Sequence, residues 1–218
     1  MKQILVAVTI AVIGTFVAGE AHAQTCVGTA PVDGNTPMQF GLGTSFTTGI
    51  NQFGVGFAGG TERVVGGVDV GFNRYGSLDG TSVSFGAKLL TQVAADDTRR
   101  VVVCPLAQIG YESGPKDVLG TGLDLSGFTT LGGVAFGFVA YQSPAVNLVP
   151  AFEFSVGSLF AKASYFGESE SVSDTFGLVS VAVGIVLERN GTIRPSVAFP
   201  LGLGDSEATF SIAYVFSF

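Results

Sequence analysis

The stretch that decides the fold class reads Ala208-Thr209-Phe210-Ser211-Ile212-Ala213-Tyr214-Val215-Phe216-Ser217-Phe218. Every even position from Phe210 to Phe218 is large and apolar, whereas most odd positions are small or polar. A period of two indicates a β-strand with two chemically different faces. Because about 9–11 residues are enough for a tilted strand to cross a bilayer, the stretch predicts a membrane-crossing strand.

The N-terminus carries the pattern of an export signal. A short positive region, Met1-Lys2-Gln3, precedes an apolar run over 4–17, and Ala21-His22-Ala23 offers a small-residue cleavage site. The alternative, a transmembrane anchor, needs a longer apolar run. The sequence therefore predicts a signal peptide over 1–23 and, together with the closing strand, a transmembrane β-barrel.

The composition favours a barrel over a bundle of membrane helices. Hydrophobic residues make up 47% of the 218 residues, yet no apolar run of 18 residues follows the signal. Spanning helices need such runs, whereas barrel strands need only alternation, because one face of each strand meets lipid. The net charge of −7 argues against nucleic acid as a partner.

Turn signals divide the remainder into a polar lead segment over 24–37, predicted to be periplasmic, and a barrel domain over 38–218. The barrel is predicted to be closed, antiparallel and a meander of ten strands, over 38–48, 52–59, 62–73, 81–93, 99–111, 128–141, 146–160, 175–187, 192–203 and 207–218. Residues 49–52 are either a hairpin turn or a kink. A single long strand there, together with the merging of another pair of strands, would give eight strands. The segments 112–127 and 161–174 are predicted to be long outer loops, opposite short periplasmic turns.

One face of each predicted strand is large and apolar, and the other is mostly Gly, Ser, Ala and Thr. The predicted lipid-facing residues include Phe40, Phe46, Phe53, Phe57, Val68, Phe72, Phe85, Leu89, Ile109, Tyr111, Phe136, Phe154, Val156, Val181 and Phe199. A soluble sandwich or lipocalin would invert this arrangement. Export and the small size of the alternate residues favour the lipid-facing interpretation.

On this phasing, four charged residues point into the barrel: Asp69, Lys88, Glu153 and Arg194. Isolated buried charges are costly, so the two acids and two bases are expected to pair. They could form a gate or selectivity filter, or a structural plug. The plug is favoured, because a barrel of eight to ten strands is largely filled by its own side chains.

The two cysteines are predicted to form a disulfide. Cys104 points inward near the periplasmic end of its strand, and the lead segment with Cys26 enters from that end. An exported protein meets oxidising conditions, which allow the bond. The alternative is two unpaired thiols.

The chain resembles the small outer-membrane β-barrel proteins of Gram-negative-type bacteria, the OmpA-type or porin-like barrels. The resemblance lies in the signal peptide, the alternating strands from about Met38 onward, and the closing Tyr214-Val215-Phe216-Ser217-Phe218. It implies a bacterial outer-membrane location, with outer-membrane lipids and the outer-membrane assembly machinery as partners. In such a family Tyr214, Phe216 and Phe218 would form the assembly signal. The chain departs from the pattern in having no Trp.

No catalytic, cofactor or metal site is predicted. The only histidine, His22, lies inside the predicted signal peptide, so an imidazole base is not expected in the exported chain. A hypothesis of divalent-cation binding by Glu168, Glu170 and Asp174 competes with an ordinary solvated acidic loop. Two non-enzymatic functions stay open: a filled barrel with a structural or surface-interaction role, which is favoured, and a narrow passive porin-like channel for small solutes.

Overall fold

The chain is an all-β protein in the computed structural model, which describes residue 26 and residues 38–60, 64–76, 80–95, 101–116, 122–166, 168–187, 191–202 and 207–218. The predicted signal peptide and, apart from Cys26, the lead segment lie outside the described residues. The strands are Met38–Thr47 (β1), Ile50–Gly60 (β2), Val64–Tyr75 (β3), Gly80–Thr91 (β4), Ala94–Ala95 (β5), Val101–Ser113 (β6), Leu123–Phe138 (β7), Tyr141–Gln142 (β8), Val146–Tyr165 (β9), Glu168–Leu187 (β10), Gly191–Leu201 (β11) and Thr209–Ser217 (β12).

Ten of these strands close into an antiparallel ring. Sequence neighbours pair around the ring, β12 pairs with β1, and β9 pairs with both β7 and β10. The two-residue strands β5 and β8 pair with β6 and β9 outside the ring order. The predicted ten-stranded meander is therefore confirmed.

The alternative of eight strands is wrong because β1 and β2 are separate. A two-residue turn, Thr48-Gly49, joins them. Gly49 has a positive φ of 78°, a conformation that glycine adopts without the cost a side chain would bring. The hairpin interpretation of this region is the one that holds.

The predicted loop over 161–174 is wrong. β9 continues to Tyr165 and β10 begins at Glu168, so most of this segment is a paired hairpin. The loop over 112–127 is also shorter than predicted, because β6 ends at Ser113 and β7 begins at Leu123. Pairing to a neighbouring strand maintains these extensions where the amphipathic alternation has faded.

The large apolar faces lie on the outside of the barrel, as the alternation predicts. Val156 is 64% exposed, Phe210 61% and Phe53 50%. Aromatic pairs line this surface: Phe136 and Phe154 lie with ring centroids 6.4 Å apart. Contiguous apolar exposure on this scale is not typical of a soluble monomer.

The inside of the barrel is less uniform than the sequence suggested. Small and polar residues do line it, but Leu131, Leu159, Phe176 and Leu178 also point inward and are buried together with Ala161 and Ala198. β7, β9, β10 and β11 contribute this apolar cluster. The part of the chain that the structure describes contains no α-helix suited to spanning a membrane.

Candidate functional site in the barrel interior

An ion pair crosses part of the barrel interior. Lys88 on β4 donates from Nζ to Glu153 Oε2 on β9 at 2.9 Å, although β6 and β7 lie between these strands. Both side chains are largely buried, with 6% and 14% exposed. Ser155 donates to the other carboxylate oxygen, Glu153 Oε1, at 3.0 Å. The pair therefore ties two separate parts of the ring together through the lumen.

The other two predicted lumenal charges lie on the same inward face. Arg194 on β11 is 7% exposed and acts electrostatically on Glu153. Asp69 on β3 stands opposite Gly86 on β4. A Cβ atom at Gly86 would collide with the Asp69 carboxylate, so the glycine provides the space that this side chain occupies.

A second buried carboxylate, Glu112, was not among the predicted site residues. It is fully buried, next to the C-terminal residue of β6. Asn73 donates from Nδ2 to Glu112 Oε1 at 2.9 Å, and the hydroxyls of Tyr75 and Ser82 donate to the same oxygen. β3, β4 and β6 are thus linked by one carboxylate.

A cavity of about 660 Å³ adjoins this network. Its lining combines the buried Tyr75 and Ser82 with Ser113 and the exposed bases Arg74 and Lys116. The cavity therefore connects the Glu112 hydrogen-bond network to the surface, at the end of the barrel where β3 leads into β4 and β6 leads into β7.

At the opposite end of the barrel the interior is apolar and contains a disulfide bond. Cys26 and Cys104 form a disulfide with Cα atoms 6.2 Å apart. Both cysteines are buried in a cluster with Ala58, Val65, Leu90, Val102, Leu106 and Ala135. Cys26 therefore lies in the barrel interior, against inward-facing residues of β2, β3, β4, β6 and β7.

The residues of the predicted assembly signal lie in β12 and directly after it. Phe216 and Phe218 are exposed, the Phe218 ring lies 6.5 Å from that of Phe57, and the Phe218 N–H donates to Met38 O at 3.0 Å. Tyr214 stacks edge-on to Phe216 at 4.4 Å. These three residues therefore belong to the apolar exterior at the junction of β12 and β1.

Two of the buried carboxylates in the interior are held by several hydrogen-bond donors. Glu153 accepts from the Lys88 ammonium and the Ser155 hydroxyl, and Glu112 accepts from one amide and two hydroxyl donors. Among the described residues, no group of three or more His, Cys, Asp or Glu side chains is placed to hold a metal ion. Glu168, Glu170 and Asp174 lie along one strand, β10, and not in the loop that the cation hypothesis assumed.

No protein-family model and no curated protein matches the chain. Among solved structures, it is similar to the translocator domain of the autotransporter NalP from Neisseria meningitidis, at 11% identity and a TM-score of 0.49 over 99% of this chain and 94% of that one. It is also similar to a bacterial polysaccharide outer membrane secretin, at 12% identity and a TM-score of 0.47 over 84% of this chain. A third is Ail, the attachment invasion locus protein of Yersinia pestis, at 15% identity and a TM-score of 0.43 over 86% of this chain and all of that one.

The chain spans 65% of the length of the secretin chain that it matches. At these identities and TM-scores the likenesses carry no information on function. Evidence for function comes from this chain's own residues, and membership of the OmpA-type or porin-like barrels stays a prediction.

Proposed function

We propose that this chain is an integral β-barrel protein of a bacterial outer membrane, with a mostly filled lumen and a structural or surface-interaction role. The observation that carries the proposal is the apolar exterior, on which residues such as Phe53, Phe72, Phe154 and Phe210 are about half exposed or more. In water this surface would be a severe aggregation liability, whereas in a bilayer it is the required one. The ten ring strands are long enough to cross a bilayer, from 9 residues in β12 to 20 in β9 and β10.

The filled lumen is supported by the burial of inward-facing polar residues. Gln39, Asn73, Ser84, Gln108 and Glu112 point into the barrel and are almost inaccessible to solvent. An open aqueous channel would instead leave its polar lining wet. The Lys88–Glu153 pair and the two apolar clusters of the interior occupy space that a solute would need.

The alternative, a narrow passive porin-like channel, has the charged interior in its favour. Charged rings can select ions when they are hydrated and accessible. Here Lys88 and Glu153 neutralise each other at 2.9 Å and are buried. We therefore rank the channel second.

The proposed role is non-enzymatic, and the proposed route to the membrane follows the sequence. Export would use the predicted signal peptide over 1–23, and assembly would use Tyr214, Phe216 and Phe218 together with the outer-membrane assembly machinery. Outer-membrane lipids would cover the apolar exterior.

Membrane insertion is testable with a matched pair of variants at Phe216, which is 43% exposed on the outer face. Refolded protein is mixed with phosphatidylcholine vesicles, washed with alkaline carbonate and floated on a density gradient. The wild type and Phe216→Leu should float with the vesicles. Phe216→Asp should float poorly, because a charge on the lipid face costs up to a few kcal/mol, depending on depth. Wild-type protein that washes off the vesicles would refute the proposal.

A further inference from the structure

The β9–β10 hairpin reaches well beyond the closed ring, and along one side of it β10 pairs with no described strand. β10 pairs with β9 along its full length, from Glu168 opposite Tyr165 to Leu187 opposite Val146. It pairs with β11 only from Gly177, opposite Leu201, onward. Among the described strands, none pairs with the other side of residues 168–176. At about 3.3 Å per residue, this open edge is roughly 30 Å long.

At alternate residues of this edge, the backbone N–H and C=O groups point away from β9, within the plane of the sheet. Thr175 donates its N–H to the side chain of its neighbour, Asp174 Oδ1, at 2.8 Å. In an antiparallel ladder, alternate residues direct both backbone groups toward or away from the partner strand. Thr175 already uses its N–H in this way, whereas Ser173, Ser171 and Ser169 present their N–H and C=O groups to the open side, as a template for another strand.

The side chains along the edge are acidic on one face. Glu168, Glu170 and Asp174 occupy alternate positions with Val172, and all four are exposed. The neighbouring base, Lys162 on β9, stands opposite Ser171 and hence on the other face of the sheet. The acidic face is therefore not neutralised by the strand that β10 pairs with.

This charge pattern decides between two possible occupants of the edge. A second copy of this chain, paired antiparallel through the same residues, would place acid against acid on neighbouring strands, and such like-charge pairs are destabilising. A strand with basic residues at alternate positions would form favourable cross-strand pairs with the same acids.

We propose that residues 168–176 form a docking edge for an extended, basic segment of a partner polypeptide, which adds to the sheet as a further strand beside β10. Backbone hydrogen bonds would provide affinity, and the alternate acids would provide specificity. The proposal deepens the surface-interaction role described above and rests on it. Opposite Asp174, Val172, Glu170 and Glu168, an antiparallel partner would carry the pattern basic-x-apolar-x-basic-x-basic.

A designed peptide tests this directly. A fluorescent nonapeptide of sequence Thr-Lys-Thr-Val-Thr-Lys-Thr-Lys-Thr is titrated with the full chain refolded in detergent micelles, and its anisotropy is recorded. The wild type should bind it saturably. The triple variant Glu168→Gln/Glu170→Gln/Asp174→Asn should weaken binding roughly tenfold, through the loss of three cross-strand charge pairs. The matched control Glu207→Gln, which removes an exposed acid outside the edge, should change affinity less than roughly twofold.

Changes to backbone amides distinguish strand addition from simple charge attraction, because only strand addition needs the backbone hydrogen bonds. Ser171→Pro removes an amide donor that points away from β9 and retains all three acids. The Ser171→Pro variant should therefore not bind the peptide saturably. N-methylation of alternate amides in the peptide should abolish binding in the same way, with the protein unchanged. Saturable binding that survives both changes would overturn the proposal, as would equal binding of a peptide with Glu in place of Lys.

Two further outcomes have a defined meaning. Cross-linking of two chains through residues 168–176 would overturn the proposed occupant in favour of a second copy. The peptide titration needs no bilayer, so its failure is distinct from a failure of the flotation assay. Peptide binding by protein that does not float would refute the membrane role and leave the docking edge standing.

Discussion

Lys88 Nζ and Glu153 Oε2 lie 2.9 Å apart inside the barrel, on strands separated by β6 and β7. The pair joins parts of the ring that share no backbone hydrogen bonds. Because both side chains are largely buried, each charge needs compensation, and each is the hydrogen-bonded counterion of the other.

Removing one partner should therefore be worse than removing both. Lys88→Met or Glu153→Leu alone should lower the free energy of unfolding by up to about 3–5 kcal/mol, because a buried charge loses its hydrogen-bonded counterion. The double variant should recover much of this loss. Urea unfolding in micelles, followed by far-UV circular dichroism, measures the effect. Lys162→Met, at an exposed base, is the control, and single variants no less stable than the double would contradict the prediction.

The stability that the Glu112 network provides should depend on the hydrogen-bond acceptor at position 112 more than on its negative charge. Glu112→Gln keeps a side-chain oxygen for Asn73, Tyr75 and Ser82, whereas Glu112→Leu leaves three buried donors without it. Each unsatisfied buried group costs about 1–3 kcal/mol, so Glu112→Leu should be much the less stable variant. Thermal unfolding of both variants in the same detergent compares them. Equal melting temperatures would show that the network does not stabilise this end of the barrel.

Much of the barrel could be predicted because alternation is strong where the strands carry an apolar outer face. In β12 the alternation of Phe210, Ile212, Tyr214 and Phe216 with small or polar residues predicts the strand and its two faces, and the predicted export signal favours the apolar face as the outer one. The hairpin at Gly49 was left open, because the local sequence fits a turn and a kink equally. Pairing of β1 with β2 in the closed sheet decides it.

The strand ends could not be predicted, for a physical reason. In 161–174 most residues on both faces are polar or small, so no period of two marks a strand, and the ladder to β9 extends β10 to Glu168. Ending β6 at Tyr111 also hid Glu112. Continuing the inward parity of Cys104 and Gln108 by two more steps would have found it. The inward Phe176 and Leu178 were missed because an apolar patch inside a barrel resembles its lipid-facing side in sequence.

The disulfide ties the ends of a 78-residue stretch of chain. In the chain-entropy treatment, closing a loop of this length stabilises the folded state by about 4 kcal/mol. The variant Cys26→Ala/Cys104→Ala should lose a comparable part of its unfolding free energy, whereas adding a reductant should affect only the wild type. Mass spectrometry of non-reduced tryptic peptides checks the pairing. Two free thiols that can be alkylated in protein purified from the envelope would contradict it.

The central claim is a membrane-inserted barrel with a filled lumen, and planar-bilayer conductance tests it most directly. Refolded wild-type protein carrying one fluorescent label is added to the bilayer, so that inserted molecules are counted independently of current. The account predicts inserted protein without unitary current steps, because the buried Lys88–Glu153 pair and the apolar clusters occupy the lumen. Reproducible unitary steps that scale with the number of inserted molecules would contradict it and establish the channel.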